Sequence, residues 1–392
     1  MMWNVCRIDD LGDINRGKSK HRPRNDARLF GGKYPFIQTG DVKKANLYIT
    51  EFDTTYSEFG LAQSRLWPKD TLCITIAANI AESAILGFDA CFPDSVVGFV
   101  PKKNKADLKF VKYLLDEFKV YMQQISKGTT QDNLSLDKLR RVKFYAPDYD
   151  VQVKIAKVIS AYDDLIENNS RRIKILEKMS ENLYKEWFSY KNIKKSAEYT
   201  RLSDILQIVR GISYSSDEIN VEEGLNLINL KNIESYGGFR QDGTKKYDGK
   251  YKQQQVVCCG DLVMGVTDMT QDRRTVGSVA IVPKLEGTSV ISADLIKISS
   301  SIDNLFLYAM FKYGKVSRHI AQFANGANVL HLKPQDILKI KVLLPKDNLI
   351  SKYVCSVAPM FHEMEKLNLM NANLIKQRDM LLPRLMSGKL EV

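Results

Sequence analysis

Two stretches of the chain repeat apolar residues in steps of three and four. In the first, Tyr162, Ile166, Asn169, Ile173, Leu176, Met179 and Leu183 fall on one line; in the second, Val357, Met360, Met364, Leu367, Asn371, Leu374, Arg378 and Leu381 do, ending near Pro383. That spacing predicts long helices, each with a narrow seam of the coiled-coil kind. Each helix would run about 40 residues, or about 60 Å at 1.5 Å per residue. Asn169 and Asn371 interrupt the seams, where a polar residue gives up stability to fix register. Two such helices, separated in sequence by a globular region, can pair antiparallel within one chain, bury both seams and hold the flanking regions apart.

Elsewhere the pattern is mixed. The short apolar runs Leu72 to Ala77, Ser95 to Val100, Val279 to Val282 and Leu295 to Ile298 predict strands, and Gly31-Gly32 and Gly237-Gly238 predict loops. Helical spacing returns over Asp107 to Gln124 and Asn304 to Ala324. Each globular region is therefore expected to be α+β.

The chain is also written twice. Ile8, Asp10, Leu11, Ile14, Arg16 and Gly17 match Leu202, Asp204, Ile205, Ile208, Arg210 and Gly211 at a constant offset of 194. Ile37, Val42 and Asp70 match Ile228, Ile233 and Asp261 at 191; Gly128, Leu134, Leu139, Val142, Lys143 and Pro147 match Gly326, Leu332, Ile337, Ile340, Lys341 and Pro345 at 198. So long a period means a duplicated domain rather than a solenoid. The expected order is a globular domain over 1–148, a helix and linker over 149–196, a second globular domain over 197–346 and a closing helix over 347–392. Antiparallel pairing of the helices would relate the halves by a pseudo-two-fold axis, matching the dyad-like symmetry of duplex DNA.

Charge narrows the partner. With 58 Lys and Arg against 46 Asp and Glu, the net charge is +12, which favours a polyanion. No signal-peptide pattern opens the chain, and the most apolar stretch, Thr71 to Phe88, carries Asn79, Glu82 and Ser83 in its middle, so a cytoplasmic protein is expected. The six cysteines form no C-x-x-C pair, and neither a zinc site nor a disulfide framework is expected.

One enzymatic motif matches letter for letter: Gly12 to Ser19, GDINRGKS, fits the P-loop pattern. The chemistry needs a helix start after the loop, whereas Lys20-His21-Arg22-Pro23-Arg24 follows, and the repeat puts Leu206 and Ile212 where Gly12 and Lys18 stand. Asp94, Glu117 and Lys119 supply the residue types of a metal-dependent nuclease without a specific pattern. A P-loop ATPase or a nuclease acting on DNA is thus the alternative reading, and a coiled-coil scaffold is a third.

The closing segment QRDMLLPRLMSGKLEV, residues 377–392, resembles the end of type I restriction-modification specificity subunits, and Ile155 to Asn169, IAKVISAYDDLIENN, resembles the central helix of that family. The likeness extends to Leu176 to Phe188, to Arg16-Gly17 and Arg210-Gly211 at the openings of target recognition domains, and to Pro35 to Val42, similar to a common strand segment of the family. The resemblance implies a non-catalytic subunit that recruits two methyltransferase subunits and, for cleavage, motor-nuclease subunits. S-adenosylmethionine, ATP and Mg would then belong to those partners, with no cofactor on this chain. Arg378 at a seam position departs from the pattern of the second helix.

For a DNA reader, phosphates take Lys and Arg, and base edges take amides and guanidiniums. The first domain offers Lys18, Lys20, Arg22, Arg24, Gln38, Lys43, Lys127, Thr129, Gln131 and Asn133; the second offers Lys231, Asn232, Arg273, Arg274, Asn325, Asn328 and His331. The seam residues Tyr162, Ile166, Asn169, Ile173, Leu176, Met364, Leu367, Asn371 and Leu374 would set the spacing and dock partners.

Overall fold

The computed structural model describes residues 3–127, 133–194, 197–219 and 221–392. Thr129 and Gln131, two of the expected contact residues, lie outside them. The chain divides into two compact units, one of Met1–Ser170 with Met370–Val392, the other of Arg171–Leu369.

The first unit is built on a five-stranded sheet in the order Gly12–Arg16, Val96–Pro101, Leu72–Thr75, Ser83–Leu86, Tyr48–Ile49. Strand Leu72–Thr75 is buried throughout because both faces of the sheet are covered. Leu72 and Ile74 join one core with Phe110, Leu114 and Phe144, while Cys73 joins another with Trp67, Ile37 and Phe92. The helix Leu108–Glu117 supplies the first cover and starts where the Asp107 carboxylate accepts the Phe110 N–H at 2.9 Å.

The second unit repeats this frame. Its main sheet runs Gln207–Arg210, Leu295–Ser299, Leu262–Gly265, Val279–Ile281, all antiparallel, beside a further four-stranded sheet containing Leu225–Ile228 and Ser289–Ile291. The correspondence reaches single bonds. Gly17 N–H donates to the Val96 carbonyl and Lys18 N–H to that of Phe92; Gly211 N–H donates to Leu295 and Ile212 N–H to Ile291. Later, Leu134 N–H donates to the Ile76 carbonyl as Leu332 N–H does to Val266.

Two local expectations fail. Gly31-Gly32 is not a loop but lies inside strand Phe30–Pro35, whose register against Thr55–Tyr56 slips between Phe30 and Tyr34. The glycines accommodate that bulge. The segment Pro35 to Val42 is not one strand: the chain is extended to Ile37, then turns into helix Thr39–Lys44, where the Asp41 carboxylate accepts the Gln38 N–H at 2.8 Å.

The long helices are Tyr149–Trp187 and Asp347–Met386, the second running through Pro359 and Pro383. In the first unit Asn169 Nδ2 donates to Asn371 Oδ1 at 2.9 Å, and Arg378 Nη1 meets Asp163 Oδ1 at 2.6 Å. In the second unit Arg172 meets Glu363 at 2.9 Å, and the Ser180 hydroxyl meets that of Tyr353 at 3.3 Å. Within each unit rising numbers on one helix meet falling numbers on the other, so the paired stretches are antiparallel. Ile166, Asn169, Met364 and Leu367 are buried, and Tyr162, Ile173, Leu176, Asn371 and Leu374 are half-buried. Met179, assigned to the seam by spacing, is 46% exposed, and Ser180 takes its place. A straight helix drifts by about 20° per heptad, enough to carry the buried line onto the next residue.

Candidate nucleic-acid interface

In the second unit, strand Leu262–Gly265 continues through Val266 into Thr267–Asp268, which pairs with Leu330–His331. His331 also exchanges backbone hydrogen bonds with Asn325, at 3.0 and 2.9 Å. Asp268, 2% exposed, closes the loop that follows. One of its oxygens accepts the Thr270 N–H and hydroxyl, both at 2.9 Å; the other accepts the N–H groups of Thr275 at 2.7 Å and Val276 at 3.2 Å. Burial pushes this carboxyl up, but the donors of Thr275 and Thr270 outweigh it and hold the pKa at about 2.

The tip of this loop carries exposed Met269, Arg273 and Arg274, and Gln271 Nε2 donates to the Ala327 carbonyl at 3.0 Å. Two loops some fifty residues apart in sequence thus form one edge, which gathers Arg273, Arg274, Asn325, Asn328 and His331. Lys231 is exposed on the turn Leu230–Asn232. Asn232 is a correction: at 0% exposure its amide donates to the Arg240 carbonyl and the Thr244 hydroxyl and accepts the Asn229 N–H. Its hydrogen-bonding capacity goes to bracing the turn, so it has no face toward a ligand.

In the first unit the glycine anchor at Gly17 launches a basic loop. Lys18, Lys20, Arg22 and Arg24 are all exposed, and the backbone is pinned by Lys20 N–H to the Gln63 carbonyl and by the Ser64 hydroxyl to the Lys18 carbonyl. Arg24 is partly spent, its Nη2 lying 3.0 Å from both oxygens of Asp94. A second group lies by the turn after Leu72–Thr75: Lys43 Nζ reaches Asn79 Oδ1 at 3.2 Å, while Asn133 N–H donates to the carbonyl of Ser126, the residue before exposed Lys127. Gln38 is exposed at the start of helix Thr39–Lys44.

Sequence reasoning missed Arg65, whose guanidinium stacks on the Trp67 ring at 4.0 Å beside this loop's anchor. An Arg-x-Trp spacing in extended chain, which puts both side chains on one face, was the available signal.

The enzymatic readings lose their geometry. Gly12–Arg16 is a sheet strand, and the N–H groups of Gly17 and Lys18, which a phosphate loop would aim at its ligand, are already bonded to Val96 and Phe92. Asp94 is engaged by Arg24 and Lys119 by Glu82, in separate ion pairs. Among the described residues no helix is long and apolar enough to cross a membrane.

The family model described as type I restriction modification DNA specificity domain matches residues 2–178. The MjaIX specificity subunit of Methanocaldococcus jannaschii is 27% identical over 100% of this chain and 94% of its own length. The HindI specificity subunit of Haemophilus influenzae is 22% identical, over 97% and 98%. Among solved structures, the type I restriction-modification S subunit from M. genitalium shares the fold at a TM-score of 0.60 and 16% identity, covering 98% of this chain and 96% of its own.

Proposed function

Because this chain belongs to the family of type I restriction-modification specificity subunits, we propose that each globular unit reads one half of a bipartite duplex-DNA target, at the loop edges described above. The family is non-catalytic, and its members assemble with DNA, methyltransferase subunits and restriction subunits. The finer reading is that two methyltransferase subunits dock on the helices, that S-adenosylmethionine, ATP and Mg reside on the partners, and that the complex works in the cytoplasm.

One observation carries the reading of two unlike half-sites. Both units use the same frame, with glycine anchors at Gly17 and Gly211 and matching braces at Leu134 and Leu332, to present different side chains. After the anchor the first unit continues as Lys-Ser-Lys-His-Arg, the second as Ile-Ser-Tyr-Ser-Ser. A shared scaffold with unlike tips is what reading two different sequences requires.

Mapping methyladenine genome-wide, in a host expressing the cognate methyltransferase with and without this chain, tests the proposal. A bipartite motif that disappears with the chain supports it; methylation independent of the chain sinks it. Within that assay, replacing Asn325 and Asn328 by alanine is expected to relax base preference in one half-site only, each lost bidentate pair being worth about 1–3 kcal/mol. Unchanged preference at every position would remove these residues from the reading edge. Deleting seven residues from each long helix should shorten the preferred spacer or abolish methylation, and retention of the original spacer would show that the helices do not set it.

A further inference from the structure

A cleft of about 360 Å³ in the second unit is lined from the first long helix by Glu177 and Lys178, from the reading loop by Arg273, and from helix Val316–Ala321 by Ser317 and Arg318. Five basic side chains face it against two carboxylates. Both carboxylates are already engaged: Glu177 pairs with Lys312, and Glu181 pairs with Lys178 and Lys185.

Two guanidiniums are left over. Among the described residues Arg273 meets no carboxylate, and Arg318 lies over the Tyr236 ring at 5.5 Å without an acidic partner. Ser317, next to Arg318 in the chain and 7% exposed, also lines the cleft, and its buried hydroxyl makes no hydrogen bond among the described residues. A buried hydroxyl without a partner is costly, and donors of this kind converge where an acceptor belongs. Two unneutralised guanidiniums require that acceptor to be anionic, and their forked geometry suits an oxyanion.

We propose that this cleft takes a backbone phosphate of the bound duplex, gripped by Arg273 and Arg318 with the Ser317 hydroxyl as third donor. The source is DNA because Arg273 sits on the loop whose Gln271 is tied to Ala327, so the cleft adjoins the edge bearing Asn325 and Asn328. Arg273 is then a phosphate contact rather than a base reader. The assignment rests on the DNA-reading function proposed above.

The test measures binding of cognate and scrambled duplexes, across a salt series, by this chain assembled with its methyltransferase. Arg273→Gln and Arg318→Gln should each weaken both duplexes by the same factor, on the order of tenfold for a charge-assisted contact. Each should also lower the slope of log affinity against log salt by about one. Arg318→Lys should keep the slope, which a merely folding-related loss would not do. A changed base preference with Arg273→Gln, an unchanged salt slope, or loss of the methyltransferase from the complex would each overturn the proposal, the last by pointing to an acidic protein segment instead. If the unaltered complex itself fails to distinguish cognate from scrambled DNA, it is the underlying reading that fails.

Discussion

Arg378→Ala is expected to destabilise the first unit by roughly 3–5 kcal/mol, the range for stripping the partner from a buried charge. The Asp163 side chain is 4% exposed in the seam between the long helices, and its two oxygens are shared between Arg378 Nη1 at 2.6 Å and the Tyr113 hydroxyl. Removing the guanidinium leaves a carboxylate that a phenol alone cannot balance. The companion experiment separates desolvation from attraction: Asp163→Leu combined with Arg378→Met should recover most of the loss, since replacing a buried pair by apolar groups of similar volume is often neutral or better. Urea unfolding of the chain in its complex, with exchange protection read on residues 149–170, measures both. A single-variant loss under about 1 kcal/mol, the level of an exposed pair, would mean that solvent screens the pair.

The second large effect is expected at the anchors. A β-carbon on Gly211 would stand 2.1 Å from the Ser292 carbonyl oxygen and 2.3 Å from that of Ile291; on Gly17 it would stand 2.4 Å from those of Phe92 and Pro93. Backbone, not a flexible side-chain tip, has to move, so Gly→Ala at either site should cost at least the 1–3 kcal/mol or so typical of overpacking. Displacing the anchor also displaces the loop it launches. Gly17→Ala should therefore degrade recognition of one half-site and Gly211→Ala that of the other, as read in the methylated motif. Gly40→Ala is the control, because nothing lies within 4 Å of its added carbon and it sits in helix Thr39–Lys44. If all three behaved alike, close backbone approach would not be what Gly17 and Gly211 serve.

The Arg-Gly repeat was readable as a repeat, and its cause, the carbonyls that crowd Gly17 and Gly211, is a tertiary fact that no local pattern contains. The strands Leu72–Thr75 and Leu295–Ser299 were legible from short apolar runs, Leu72 to Ile74 in the first and Leu295, Ile296 and Ile298 in the second, where Lys297 interrupts the run and pairs with Asp261 at 2.7 Å. Asn232 was misjudged for the converse reason: an amide next to a lysine looks like a surface reader, yet its hydrogen bonds close a turn. The same limit hid Asp163. On a helix it reads as an ordinary exposed acid, and only the arrival of Arg378 from 215 residues away makes it a core residue. Met179 and Ser180 show how far periodicity reaches, since counting by heptads locates a stripe to within one residue and packing selects which of two neighbours is used.

Two of the bonds that tie these loop regions to their sheets, from Leu134 to Ile76 and from Leu332 to Val266, join main-chain atoms. A main-chain bond is indifferent to the side chains on either side of it. Mutation can therefore rewrite the donors and acceptors on a loop tip while the hinge points that carry the tip keep their strength. At these two ties, exchange of the tip's side chains leaves the attachment intact, whereas the loop closed by the Asp268 carboxylate keeps that one side chain as a fixed requirement.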